Sequence, residues 1–290
     1  MISELLNKTK KTLSFEVFPP KKEDEFEAAF SIMDKLSALN PDFISVTYGA
    51  GGSTSKKTAT IAAYIQNICE IEALAHLTSV AMDEAFLRQM VHELNAKGVY
   101  NVLALRGDQP RDMSDEVFQN RHFKHASDII PIIQDAAEKE ICIAAACYPE
   151  KHPESATIED DLTYLKKKAD AGIDFFITQM FFDNGKFFEF RENARAHGIQ
   201  TPITAGIMPI TSAKQIGTSV QLSGSSVPTE LSNLLAKYGD NPEDMQKAGI
   251  DYAIRQIEQL INNQVDGIHL YTMNKSDVTR EIFKQIHVMQ

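Results

Sequence analysis

Apolar residues in this chain gather into eight short runs, spaced almost evenly from end to end: Leu13–Phe18, Phe43–Tyr48, Ala73–Thr78, Val102–Gly107, Ile141–Tyr148, Phe175–Phe182, Pro202–Met208 and Gly267–Met273. Between them, apolar residues recur at helical spacing, as Phe26, Phe30, Met33, Leu36 and Leu39 do. Eight strand–helix units close a parallel β-barrel inside a ring of helices. The pattern therefore predicts the α/β class and a (β/α)8 TIM barrel, with residues 1–290 as one catalytic domain. Further helices are predicted over about 83–97, 127–139, 184–197 and 243–263, and the shorter stretches 211–221 and 229–238 fall in an elaborated connection between strands seven and eight. GAGGSTSKK leads into another helix, N-capped by Ser53 or Ser55.

In such a barrel the carboxyl ends of the strands carry the chemistry. Here they show Glu16, Thr47, His76, Arg106 with Asp108, Tyr148, Gln179 and Tyr271. A packed barrel has no structural use for so many polar residues at one end, so the pattern points to an active site. Glu16 lies between Phe15 and Phe18. A carboxyl group walled by rings is desolvated, which favours its protonated form and suits a general acid. The alternative is a buried ion pair with Arg106 or a lysine. Arg106 would hold a phosphate or a carbonyl and Asp108 would accept from heterocyclic N–H groups. Otherwise the two form an ion pair that closes the loop. Gly107 between them would let the backbone approach a flat ligand. Asp161, Tyr164, Lys167 and Lys168 lie within two turns of one predicted helix, as a ligand face or a solvated charged one. GAGGS is a weak anion cradle, without the dinucleotide-binding fingerprint.

Other chemistry is disfavoured. His76, His122, His125 and His152 show no metal-ligand spacing, so no metal is expected. No lysine lies inside a strand near its carboxyl end, which argues against a Schiff-base aldolase. No Ser or Cys sits in a nucleophile elbow. The formal charge of −11 disfavours nucleic acid or an anionic membrane as partner. Cys69, Cys142 and Cys147 are too few for a disulfide framework and read as inert core thiols. With neither a signal peptide nor a membrane span legible, the cytoplasm is the expected compartment. The polar stretch QPRDMSDEVFQNRHFKHASD is long for a strand–helix link, a length typical of functional lids.

SFEVFPPK, SVTYGAGGS, AHLTS, LALRGD, YPEKHPE, ITQMFFD and GIMPI occur in this order, each at a predicted strand end. Together they closely resemble the signature segments of the bacterial-type 5,10-methylenetetrahydrofolate reductase family, from about residue 13 to 287. The resemblance implies a barrel with non-covalent FAD. It implies ping-pong reduction of 5,10-methylenetetrahydrofolate to 5-methyltetrahydrofolate, by NADH or NADPH through the flavin, which supplies methyl groups for methionine synthesis. Carried over by motif, Glu16 would be the general acid that opens the folate's five-membered ring, and Asp108 would tune the flavin near the pterin. Thr47, Tyr48, Ala50, His76, Arg106, Gly107, Asp108, Ala126, Tyr148 and His152 would line the FAD site, with Asp161, Tyr164, Lys167 and Lys168 at its ribose, diphosphate or adenine region. Asp108, Gln179, Gln215 and Lys275 would contact the folate.

Two positions depart from the family pattern. Where some members place a stacking aromatic residue, this chain has Ser219, with Leu222 the nearest apolar residue. Lys275 stands where some relatives carry arginine, which keeps the charge and loses the bidentate fork. The resemblance also implies a homo-oligomer and no regulatory domain after the barrel. The alternatives are a flavin-bearing subunit that takes electrons from a partner protein, and a barrel that binds without catalysis.

Overall fold

Strands buried on both faces alternate between two apolar environments, and that alternation organises this molecule. The computed structural model describes residues 1–6, 11–48, 54–110 and 112–287. Eight parallel strands close in sequence order: β1 (Thr12–Val17), β2 (Phe43–Val46), β3 (Glu72–Thr78), β4 (Asn101–Leu105), β5 (Cys142–Cys147), β6 (Phe175–Thr178), β7 (Ile203–Ile207) and β8 (Gly267–Tyr271). Residues such as Ile44, Val46, Ala73, Ala75, Val102, Ile143 and Phe176 face outward and form the main core with the helices. Their neighbours Phe43, Leu74, Leu103, Cys142, Ala144, Phe175 and Ile177 form a second cluster inside the barrel.

That inner cluster is sealed at the amino-terminal end by a short helix, Ile2–Leu6. Ile2 is fully buried, and its N–H donates to Asn101 Oδ1 at 3.0 Å. Five residues are too few for a periodicity to show, so the sequence pattern misses this helix.

The helices otherwise follow the periodicity. The connection from β7 to β8 carries Ala213–Ser223, Thr229–Tyr238 and Pro242–Asn262, and Ser276–His287 closes the ring. Three details differ from expectation. The helix after β2 already begins at Thr54, so Ser55 lies inside it rather than capping it, while Ser53 is outside the described residues. The predicted helix over 127–139 shrinks to Ile130–Ala136, because Pro131 sits in its first turn and a 3-10 turn, Ala126–Asp128, precedes it. The long polar connection after β4 contains a short helix, Asp115–Gln119, capped by Ser114, whose Oγ accepts from the Val117 N–H. Among the described residues no helix is long and apolar enough to cross a membrane.

Candidate active site at the barrel mouth

The inward-facing positions change character as each strand rises. Below they are Phe43, Leu74, Leu103 and Phe175. Two residues further on, three of these strands present Ser45, His76 and Ile177, while Glu16 and His269 face in from β1 and β8. Glu16 is only 9% exposed. Its Oε2 lies 3.5 Å from His76 Nε2 and 3.8 Å from His269 Nε2. Arg106 pairs elsewhere, with Glu154, and the groups that meet the Glu16 carboxyl here are imidazoles. Phe15 and Phe18 do not form the expected aromatic wall either. Phe15, one residue away, faces the other side of the strand and meets Phe283 edge-on, with centroids 5.5 Å apart. Phe18 lies beyond the strand and is 38% exposed. The neighbours of the carboxyl group include the imidazoles of His76 and His269 and the phenol of its cross-strand partner Tyr271.

His269 is fully buried and held at both ring nitrogens, by Ser14 Oγ at 2.7 Å from Nδ1 and Ser45 Oγ at 3.2 Å from Nε2. Its ring stacks on Phe43, 5.7 Å between centroids. Burial lowers the His76 pKa to about 4, so its imidazole is neutral near pH 7. Its buried Nε2 has no hydrogen-bond partner among the described residues and faces the Glu16 carboxyl group. Sequence reasoning singled out Tyr271 and passed over His269. The period of two along GIHLYTM, counted back from Tyr271, would have placed His269 inside the barrel.

Tyr271 depends on its neighbour. Its hydroxyl donates to the Thr178 carbonyl at 2.7 Å, and its ring fills the space that a side chain on Gly206 would take. A Cβ at Gly206 would lie 2.4 Å from Thr178 O and 2.7 Å from the Tyr271 ring. Burial raises the Tyr271 phenol well above its ordinary pKa, reinforced by Glu16 and Tyr148. Tyr148 is raised by burial and then by Asp108. These effects join Glu16, Asp108, Tyr148 and Tyr271 around one mouth.

Asp108 itself is exposed, at the end of a loop that turns at Gly107 with φ +85°. Arg106 does not pair with it. The guanidinium instead makes a bidentate pair with Glu154, at 2.5 and 2.8 Å, and lies 5.5 Å from the Phe118 ring centroid. Burial opposes the Arg106 charge, but the Glu154 hydrogen bonds outweigh it and its pKa rises; Arg106 in turn lowers that of Glu154. Arg121 packs on the same ring at 4.1 Å. Phe118, Arg121 and Glu154 were missed in the sequence, although the Val117–Phe118 pair is the apolar interruption in that polar stretch.

The Asp161–Lys168 face divides in two. Asp161 accepts from Ser155 Oγ at 2.9 Å, and Lys168 donates to the Ala146 carbonyl under the strand ends. Burial lowers the Lys168 ammonium pKa. Tyr164 turns outward and stacks on His125, with centroids 4.5 Å apart and Lys167 Nζ 4.8 Å from the ring. Ala126 follows His125 directly. Tyr148 and His152 meet edge-on at 4.7 Å, and Thr47 and Tyr48 are half-buried beyond β2. Ala50 lies outside the described residues. Gln179 follows β6, its Oε1 accepting from the Met180 N–H at 2.9 Å. Gln215 and Lys275 share a cleft with Tyr271. Cys142 and Cys147 are buried thiols whose pKa burial pushes up. No group of His, Cys, Asp and Glu among the described residues is placed to hold a metal ion.

The methylenetetrahydrofolate reductase family profile matches residues 1–287. The chain belongs to that family. The 5,10-methylenetetrahydrofolate reductase of Escherichia coli is 31% identical over 270 residues, covering 93% of this chain and 88% of that protein. Methylenetetrahydrofolate reductase (NADH) 1 of Arabidopsis thaliana is 36% identical over 270 residues, covering 90% of this chain and 46% of that protein. The chain thus spans about half the length of its plant relatives. Among solved structures, an uncharacterized protein from Clostridium thermocellum that binds two copies of 5-methyl-5,6,7,8-tetrahydrofolic acid superposes with a TM-score of 0.68 at 16% identity, covering 100% and 99% of the two chains. A dihydropteroate synthase from Xanthomonas albilineans gives 0.55 at 12% identity, over 97% and 94%. At those identities the likeness is one of fold.

Within this methylenetetrahydrofolate reductase barrel, the two residues at the departed stacking position differ in exposure. Ser219 is buried at 4% exposure, whereas Leu222, near the end of the same helix, is 56% exposed.

Proposed function

We propose that this family member is an FAD-dependent 5,10-methylenetetrahydrofolate reductase that forms 5-methyltetrahydrofolate with electrons from NADH or NADPH, in a ping-pong order. The observation that carries this reading is Glu16, buried at the mouth between His76 and His269, with Asp108 and Gln179 in the segments that follow β4 and β6 at the same end of the barrel.

The donors around the mouth fit a dinucleotide flavin. Lys168 and Arg106 offer cationic donors toward a diphosphate, and the His125–Tyr164 stack with Lys167 beside it offers a flat platform for adenine. Ala50, Thr47, Tyr48, His76, Gly107, Ala126, Tyr148, His152 and Asp161 complete the proposed lining. Bound there, FAD would supply hydride transfer. Before that transfer, Glu16 would deliver a proton from its carboxyl group to the folate nitrogen that is released as the five-membered ring opens. His269, fixed by two hydroxyls, holds that carboxyl group in place. Asp108 accepts from ring N–H groups, Gln179 hydrogen-bonds folate or nicotinamide, Gln215 orients the folate, and Lys275 takes a carboxylate of its tail. Buried free thiols at Cys142 and Cys147 suit the reducing cytoplasm, and membership of the family favours a homo-oligomer.

The visible spectrum of the purified protein without oxygen, before and after NADH, tests the reading. Flavin bands that bleach with NADH and return with methylenetetrahydrofolate are expected. Bands bleached by NADPH alone would fix the other donor. Bands that neither nucleotide bleaches would favour electron delivery by a partner protein, a reading consistent with the buried Ser219. Absence of flavin after incubation with FAD would overturn the proposal.

A further inference from the structure

The loops after β7 and β8 meet at one hydroxyl group. Thr211 is 6% exposed and lines the cleft shared by Gln215, Tyr271 and Lys275. Lys275 Nζ donates to Thr211 Oγ1 at 2.7 Å. An ammonium group only donates, so the hydroxyl accepts there and its own proton is free for Gln215 Oε1, 3.3 Å away. The Thr211 N–H donates to the same oxygen at 3.1 Å. Two donors on Oε1 leave the Gln215 amide one orientation, with Nε2 directed to the Pro209 carbonyl at 3.2 Å. The Lys275 ammonium thus sets the direction of the Thr211 hydroxyl, which joins the Thr211 N–H and the Pro209 carbonyl in holding the Gln215 amide.

The loop that carries Lys275 is itself braced. Thr272 Oγ1 donates to the Glu16 carbonyl at 2.6 Å, and the Asn274 side chain bonds both the N–H and the carbonyl of Phe18, at 2.9 and 3.0 Å. Met273 and Asn274 hold the left-handed conformation, φ +51° and +57°, which non-glycine residues adopt only where surrounding contacts enforce it. A braced lysine and a fixed glutamine, joined through one buried hydroxyl, form a unit.

We propose that Thr211 is a positioning residue that couples Lys275 to Gln215, so that a carboxylate on the substrate tail and the ring that Gln215 contacts are recognised together. The inference rests on the folate reading above and extends it to specificity. Thr211→Val removes the hydroxyl at nearly constant shape, and Thr211→Ser restores it.

The test is steady-state and half-reaction kinetics with methylenetetrahydrofolate and with its analogue that lacks the glutamate tail. In Thr211→Val the folate KM should rise on the order of tenfold, the scale of one or two lost hydrogen bonds. Flavin reduction by the nicotinamide should be unchanged, and the preference for the tailed substrate should shrink. Thr211→Ser should recover wild-type behaviour. In a Lys275→Met background, Thr211→Val should add little. A Thr211→Val enzyme with wild-type folate KM would overturn the coupling, as would a Thr211→Ser enzyme as impaired as the valine variant, or equal loss in both half-reactions. A wild-type enzyme whose reduced flavin no folate reoxidises would remove the functional reading itself, and the coupling with it.

Discussion

The two ends of the barrel are built from the same strands and obey opposite rules. At the amino-terminal end, Phe43, Leu74, Leu103 and Phe175 fill the interior and Ile2 seals it. At the carboxyl-terminal end the mouth gathers Glu16 from β1, His76 from β3, two residues above Leu74, and His269 and Tyr271 from β8. Apolar packing below is satisfied by volume alone. Polar packing above has to be satisfied group by group, and His76 Nε2, beside Glu16, finds no hydrogen bond among the described residues. Burying a polar atom unpaired is costly. One end supplies stability, and the other spends some of it on chemistry.

Substitutions that separate the two ends sharpen this contrast. The largest effect is expected below. Phe175→Ala should cost about 3–5 kcal/mol of unfolding free energy in urea melts, while the folate rate per folded molecule stays close to wild type. A comparable loss of rate would show that the ends are mechanically coupled. Next is the acid sensitivity of the upper end. The folded-state pKa of His76 lies at about 4, below its unfolded value, so the unfolded chain takes up that proton first. Its contribution to stability is complete above about pH 6.5 and is lost as pH falls toward 4. A pH series of melts should show wild type losing on the order of 3 kcal/mol more than His76→Gln over that range. Parallel curves for the two proteins would refute the assignment.

Glu16→Gln should bring the opposite profile to Phe175→Ala. The folate half-reaction should slow by about 10² or more, with flavin reduction by the nicotinamide and the melting temperature little changed. Equal damage to both half-reactions would remove Glu16 from the role of acid. The smallest effect is expected at the rim. Glu154 is mostly exposed, so Glu154→Gln should weaken flavin binding by less than about 1 kcal/mol, and the difference should fade at high salt. A large, salt-independent loss would mean that the Arg106–Glu154 pair orders the whole loop after β4.

Much of this architecture is legible in the chain. Strand-end residues Glu16, His76, Tyr148, Gln179 and Tyr271 do converge, because a parallel barrel brings every carboxyl strand end to one face. What sequence hides is partnership across strands. Nothing local says that His269 sits opposite Glu16, 253 residues earlier, or that Arg106 prefers Glu154 to the adjacent Asp108. The error over Phe15 has a different source. Adjacency along a strand means opposite faces in space, so the ring nearest Glu16 in sequence is directed away from it.

The empty place at Gly206 reaches beyond its own strand. A Cβ there would meet the Thr178 backbone carbonyl at 2.4 Å and the Tyr271 ring at 2.7 Å, so a strand on each side of β7 excludes every side chain from the position. Trimming the phenol would leave the carbonyl still in the way. Descendants of this sequence can therefore widen the mouth at Tyr271, while residue 206 stays glycine whatever stands beside it.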